Sequence, residues 1–326
     1  MLPVIAILGR PNVGKSTLFN RLTGTRDALV ADTPGVTRDR LIGRADLEGR
    51  PYLLIDTGGL GGEDPDFAGA VESQALTAAR EADALVLLTD ARAGLAGADD
   101  AIAQRLRALG KPVVLAVNKS EGLDETALAE FHALGLGTPL AVSAQRGSGM
   151  PALNARLADL LGPAPQGADE DAHAPPLLAI VGRPNAGKST LVNRLLGEER
   201  LIASAVPGTT RDRVRVALRY GGRDYALLDT PGVRRRARIG QELEKLSVVK
   251  ALQSIEDADV SVLVIDAQTG PTEQDARIAA YAASHARATL LAVNKADLLD
   301  ERGQRALAAQ VERILPFLRH VPRRFI

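Results

Sequence analysis

This chain of 326 residues contains no cysteine and no tryptophan, and its aromatic content is only 3%. Without cysteine there are neither disulfides nor thiolate metal sites, a composition compatible with a reducing compartment. With so few aromatics, the hydrophobic cores must be built from Leu, Val, Ile and Ala. A net charge is missing too: 40 Lys+Arg balance 40 Asp+Glu, so no global field draws nucleic acid or an anionic membrane, and any such partner must meet a local patch. No apolar run approaches the roughly 18 residues that span a bilayer, and no basic stretch precedes the first apolar segment. The expectation is a soluble, cytoplasmic protein with no membrane association. At roughly 150 residues per domain the length predicts about two domains, each large enough for its own core.

What is present is a motif that occurs twice. Gly9-Arg10-Pro11-Asn12-Val13-Gly14-Lys15-Ser16-Thr17 and Gly182-Arg183-Pro184-Asn185-Ala186-Gly187-Lys188-Ser189-Thr190 both fit G-x-x-x-x-G-K-[ST]. Each follows a short apolar run, Val4 to Leu8 or Leu177 to Val181, that reads as a buried strand, and each opens a helical pattern. In that setting the glycines let the backbone curl and aim consecutive N–H groups at an anion, and the helix N-terminus adds its dipole. Lys15 and Lys188 would neutralise β- and γ-phosphate oxygens, and Ser16 and Ser189 would hold Mg²⁺. One such motif alone could be a lysine-bearing glycine turn, but its recurrence in the same context makes that reading much weaker.

The repeat extends well beyond the loops. An offset of 173 residues carries Pro34 to Asp39 onto Pro207 to Asp212, and Asp56-Thr57-Gly58-Gly59-Leu60 onto Asp229-Thr230-Pro231-Gly232-Val233. Further on the offset becomes 176, pairing Asn118-Lys119-Ser120-Glu121 with Asn294-Lys295-Ala296-Asp297, so three residues are inserted after the Asp-x-x-Gly of the second copy. Such self-similarity marks a tandem duplication. Within the first copy a hairpin is expected over 41–55, a helix over 67–82, strands at 84–89 and 112–117, a helix at 99–109, a weaker one at 125–134, a short strand at 138–142 and a helix at 150–161. Alternating strands and helices predict an α/β fold in each copy, a mainly parallel sheet with helices on both faces, and ligands at the carboxyl ends of its strands. Residues 162–176, rich in Pro, Gly, Ala and acid, read as a linker.

The remaining motifs supply the chemistry. Asp56 and Asp229 each end an apolar strand, where a carboxylate would orient Mg²⁺ through its waters. Gly59 and Gly232 would then offer an N–H to a γ-phosphate. Thr37 and Thr210 lie in turn-rich loops, where a hydroxyl reaches the metal only when the γ-phosphate orders the loop. A carboxylate two residues after Asn-Lys accepts from guanine N1–H and N2–H₂ together, a pattern adenine cannot offer, and Asn adds a ring-edge contact. The acid is Asp297 in the second copy but Glu121 in the first, one methylene longer, which would weaken or shift binding there. Ser143-Ala144 would lay backbone N–H against guanine O6, and the second copy reaches Ile326 without a counterpart. The run Arg234-Arg235-Arg236-Ala237-Arg238 reads equally as a solvated face and as a phosphate-contacting segment for RNA or a neighbouring domain.

On these motifs the whole chain resembles the Der family, also called EngA, of bacterial ribosome-assembly GTPases, which carry two consecutive GTPase domains. Tandem domains with Gly-Arg-Pro-Asn in both loops are nearly confined to that family. The resemblance implies two Ras-like P-loop domains, each with a six-stranded sheet, over residues 1–161 and 177–326. The second would be incomplete at its C-terminus, and the KH-like RNA-facing domain of the family would be absent. It also implies GTP hydrolysed to GDP and phosphate, with the pre-ribosomal large subunit and its rRNA as partners of a monomer. Many GTPases place a water-positioning Gln where Leu60 and Val233 stand, so catalysis is expected to rest on Lys15, Thr37 and Gly59, and on Lys188, Thr210 and Gly232. The resemblance adds a K⁺ ion in the role of an arginine finger, held partly by Asn12 and Asn185. Two alternatives stay open: a tRNA-modification type of GTPase, and a nucleotide sensor in which one copy is mainly non-catalytic.

Overall fold

The computed structural model describes residues 2–24, 29–31, 40–47, 49–58, 75–162, 174–198, 215–228 and 248–326. The chain divides into two compact units, Leu2–Ala168 and Asp169–Ile326.

In the first unit strand β1 (Val4–Leu8) is buried along its whole length. It runs parallel between β4 (Arg50–Asp56) and β5 (Ala84–Asp90), pairing Ile5 with both Leu54 and Ala84. Continuous apolar runs of this kind suit strands covered on both faces. β3 (Arg40–Leu47) returns antiparallel on β4, and the turn between them contains Gly49 at φ 85°, a left-handed conformation that costs glycine little. With β2 (Leu29–Ala31), β6 (Val113–Asn118) and β7 (Leu140–Ala141) the order is β2-β3-β4-β1-β5-β6-β7. This sheet has seven strands rather than the expected six, because the three-residue β2 adds an antiparallel edge to β3, Leu29 opposite Ile42.

Helices α1 (Lys15–Thr23), α2 (Gly97–Leu109) and α3 (Met150–Leu161) flank the sheet. Leu18 and Phe19 of α1 and Leu153 and Leu157 of α3 pack in one core with Ile5, Ile7, Leu54 and Leu88. Residues 75–81 are helical, and the remainder of the helix expected from residue 67 lies outside the described residues. Glu125–Leu134 winds as a 3-10 helix instead of an α-helix, closing at Gly135 with φ 62°.

The second unit repeats the plan with β8 (Leu177–Val181), β9 (Arg215–Tyr220), β10 (Arg223–Leu228), β11 (Val260–Asp266), β12 (Thr289–Asn294) and β13 (Arg323–Phe325), ordered β13-β12-β11-β8-β10-β9. Its helices are α4 (Lys188–Glu198), α5 (Val248–Asp257), α6 (Glu273–His285) and α7 (Glu301–Ile314). The duplication holds in single hydrogen bonds: Val4 N–H donates to Asp83 at 2.8 Å, and Leu177 N–H donates to Asp259 at 2.8 Å. No helix among the described residues is long and apolar enough to cross a membrane.

Candidate functional site

Each glycine loop leaves the carboxyl end of the central strand of its sheet and runs directly into a helix. Gly9 and Gly182, at φ 148° and 145°, pass so close to the neighbouring strand that a Cβ on either would sit 2.3 Å from the carbonyl oxygen of Leu88 or Val264. Gly14 and Gly187, at φ 98° and 92°, end the loops, where a Cβ would meet Asn118 Nδ2 at 2.4 Å and Asn294 Nδ2 at 2.0 Å. Between them Asn12 and Asn185 hold left-handed backbones at φ 65° and 63°, which Asn tolerates better than most residues. Leu18 N–H and Leu191 N–H bond the carbonyls of Gly14 and Gly187, each at 2.9 Å. The N–H groups that precede them belong to the first turns and point beyond the helix ends, as anion-binding termini do.

Lys15 and Lys188 are buried at these termini. Each ammonium donates to the carbonyl of the loop arginine, Lys15 Nζ to Arg10 O at 2.8 Å and Lys188 Nζ to Arg183 O. Ser16 Oγ donates to Asp56 Oδ2 at 2.7 Å, joining the helix to the end of β4. Asp56 is buried and also accepts from Gly58 N–H at 3.1 Å, and Thr57 Oγ1 donates to Ile7 O at 2.8 Å. Thr17 and Thr190 occupy the first turns of α1 and α4, beside Ser16 and Ser189.

The Asn-Lys pairs fasten the opposite side of each loop. Asn118 Nδ2 donates to Val13 O at 2.7 Å, and its Oδ1 accepts from Ala144 N–H at 2.9 Å. Lys119 takes the left-handed conformation, φ 60°, that folds its ammonium back between Asn12 O at 2.9 Å and Asp90 Oδ2 at 2.6 Å. In the second unit Asn294 Nδ2 donates to Ala186 O at 2.9 Å, and Lys295 Nζ reaches Asn185 O at 3.3 Å and Asp266 Oδ2 at 2.6 Å. Burial opposes the charge on Asp90 and Asp266. The lysine and the N–H groups of the following turn prevail, holding both carboxyls below the ordinary value. Gly14, Thr17, Asn118, Lys119, Glu121 and Ser143 line one cleft of about 350 Å³ together with Arg92 and Gln145. Ser120 Oγ donates to Val142 O at 2.9 Å. Ala296 N–H bonds Ile326 O at 3.0 Å, and Asp297 is exposed beside it.

Three groups that sequence reasoning missed hold these parts in place. Asp90 and Asp266 end their strands as the acceptors of Lys119 and Lys295. Fully buried Asp99 and Asp275, in the first turns of α2 and α6, form ion pairs with Arg10 at 3.2 Å and Arg183 at 2.7 Å. Burial raises both of these carboxyls. The guanidinium of each loop arginine therefore braces the loop through a buried acid. Arg21 of α1 donates to Ala144 O and, at 2.6 Å, to Gln145 O, tying the Ser143-Ala144 loop to the glycine-loop helix. The offset of 176 residues aligns Asp90 with Asp266 and Asp99 with Asp275, and was the available signal. Thr37, Gly59, Leu60, Thr210, Asp229, Thr230, Pro231, Gly232, Val233 and the basic run 234–238 lie outside the described residues.

The family model described as 50S ribosome-binding GTPase matches residues 4–119 and again 177–295. The chain is 50% identical over 321 residues to the GTPase Der of Thiobacillus denitrificans, covering 98% of this chain and 68% of that protein. It is 51% identical over 324 residues to the GTPase Der of an Azoarcus species, covering 98% and 72%. Among solved structures, an Era variant of Aquifex aeolicus bound to GDP and aluminium fluoride is 27% identical, covers 52% of this chain and 60% of that one, and gives a TM-score of 0.44.

Proposed function

The chain belongs to the GTPase Der family, and from that premise we propose that it is a two-site GTP-hydrolysing switch acting in assembly of the large ribosomal subunit. It is a GTPase. The observation that carries the site assignment is the twofold convergence of a glycine loop and an Asn-Lys pair, with Asn118 on Val13 and Lys119 on Asn12 in one unit, and Asn294 on Ala186 and Lys295 on Asn185 in the other. Guanine recognition and phosphate binding thus share a single rigid element.

In this reading the N–H groups of residues 12–17 and 185–190 hold the phosphates, with Lys15 and Lys188 on the β- and γ-oxygens. Glu121 and Asp297 would accept from the guanine edge, and Ala144 N–H, bonded here to Asn118 Oδ1, would turn to guanine O6. Ser16 and Asp56, a hydroxyl and a carboxylate 2.7 Å apart at a helix N-terminus, form an all-oxygen pair that suits Mg²⁺. Ser189 with Asp229 would do the same in the second unit, and Thr37 and Thr210 would complete the two spheres. Mg²⁺ supplies charge neutralisation on the transferred phosphoryl group. The exposed side chains of Asn12 and Asn185 would help hold K⁺, whose charge would substitute for the missing glutamine at Leu60 and Val233. Gly59 and Gly232 would bind the γ-phosphate through their N–H groups.

The pre-ribosomal particle and its rRNA are the proposed partners of a cytoplasmic monomer, supported by the description of the matched family. The test is phosphate release from GTP and from ATP by the parent, Lys15→Ala, Lys188→Ala and doubly substituted chains. Hydrolysis specific to GTP and lost only in the double variant supports two working sites. Unchanged hydrolysis in the double variant refutes them.

A further inference from the structure

We propose that Arg92 is a positioning residue for guanine recognition in the first site, holding the long acid Glu121 where a shorter one would need no help. This rests on the reading of the 350 Å³ cleft as the guanine site, since both residues line it.

Arg92 lies in the turn after β5, where its N–H donates to Asp90 Oδ1 at 2.9 Å. From there its Nη2 donates to Glu121 Oε1 at 3.0 Å. The arginine is 58% exposed and the glutamate 12%. The other oxygen, Glu121 Oε2, is buried without a partner of hydrogen-bond geometry. Its own backbone N–H and the Ser143 hydroxyl close by, with the charges of Arg92 and Arg146, hold the Glu121 carboxyl below its ordinary value.

The second unit reproduces the turn but changes both side chains. Gln268 stands where Arg92 does, its N–H on Asp266 Oδ1 at 2.9 Å, and the acid is Asp297. Among the described residues no cation pairs with Asp297. The N–H to carboxylate bond of the turn is kept in both copies while arginine stands with the longer acid and glutamine with the shorter one. An extra methylene gives Glu121 one more rotor and lets its carboxylate swing off a planar edge. A guanidinium on Oε1 removes that freedom, while a carboxylate has about four lone-pair positions and so still accepts from N1–H and N2–H₂.

The experiment is binding of GDP and of inosine diphosphate, which lacks N2–H₂, to Lys188→Ala chains that also carry Arg92→Gln, Arg92→Lys, Glu121→Asp, or Arg92→Gln with Glu121→Asp. Because the pair is partly exposed, Arg92→Gln should weaken GDP by about two- to fivefold. It should weaken inosine diphosphate less, so the ratio of the two affinities falls. Arg92→Lys should retain most of the GDP affinity, and Arg92→Gln should cost nothing in the Glu121→Asp background. An equal loss in both backgrounds, or tighter GDP in Arg92→Gln, overturns the inference. If the Lys188→Ala chain binds no GDP, the guanine-site reading itself fails and the inference falls with it.

Discussion

Arg183 Nε lies 2.7 Å from Oδ2 of Asp275, a carboxylate with no solvent exposure, and the same pair recurs as Arg10 and Asp99 at 3.2 Å in the first unit. The carbonyl of each arginine receives the ammonium of the loop lysine, so one residue links a buried acid to the phosphate-binding cation. Asp275 is further held by Thr272, whose N–H and hydroxyl donate to it at 3.0 and 2.9 Å. Breaking a buried pair from one side leaves a charge uncompensated and costs more than the pair contributes. Asp99→Asn is expected to destabilise the first unit by only about 1 kcal/mol, because Arg10 retains some exposure and burial already opposes the charge on Asp99. Denaturant unfolding checks the stability, and GDP titration of the same variant should show weakened binding at the first site only.

Protonation acts oppositely on the two sets of aspartates. Asp90 and Asp266 have carboxyls lowered from 3.8, so their stabilising pairs with Lys119 and Lys295 are present above that pH and are lost as pH falls through the depressed folded value. Asp99 and Asp275 are raised from 3.8, so their ionisation reduces stability as pH climbs from 3.8 through the raised folded value. The difference in unfolding midpoint between the parent and Asp90→Asn should be present at pH 6 and shrink below pH 3.8. A difference that grows on acidification contradicts this assignment.

Glycine substitutions separate clash from strain. Gly14→Ala drives a Cβ to 2.4 Å from Asn118 Nδ2, displacing the group that joins the glycine loop to the guanine side. GDP affinity at the first site should fall by more than about tenfold, the equivalent of one lost charged or buried hydrogen bond. Gly24→Ala is a control at a left-handed helix end, φ 63°, with open space around it. It should cost about 1 kcal/mol in stability and leave GDP affinity unchanged.

Cation dependence addresses the missing glutamine. Hydrolysis should require Mg²⁺ and run faster in K⁺ than in Na⁺ at matched ionic strength, with the preference reduced by Asn12→Ala and Asn185→Ala. Equal rates in the two salts remove the proposed monovalent cation.

The parts of this site that were legible in the sequence are those with a motif and a period. The loops at Gly9 and Gly182 and the pairs at Asn118 and Asn294 announce themselves through spacing after apolar strands, and the duplication confirms each against the other. Asp99 and Asp275 were harder, because an acid in a first helical turn is ordinary dipole complementation and nothing local says that it is bonded to a loop about ninety residues earlier. The side chains of Arg10 and Arg183 were equally hard to place: a basic side chain inside a phosphate loop invites a phosphate contact, whereas here each guanidinium pairs with buried Asp99 or Asp275. The short β2 edge carries no alternation long enough to read. The sequence Glu125–Leu134 has good helix formers at most positions and still adopts 3-10 winding, for which its composition gives no reason.

Nucleotide stoichiometry tests the central claim of two independent guanine-nucleotide sites most directly. Equilibrium dialysis with GDP should give two bound per parent chain, one for Lys15→Ala, one for Lys188→Ala and none for the double variant. A single substitution that abolishes all binding, or a double variant that still binds GDP, would contradict it.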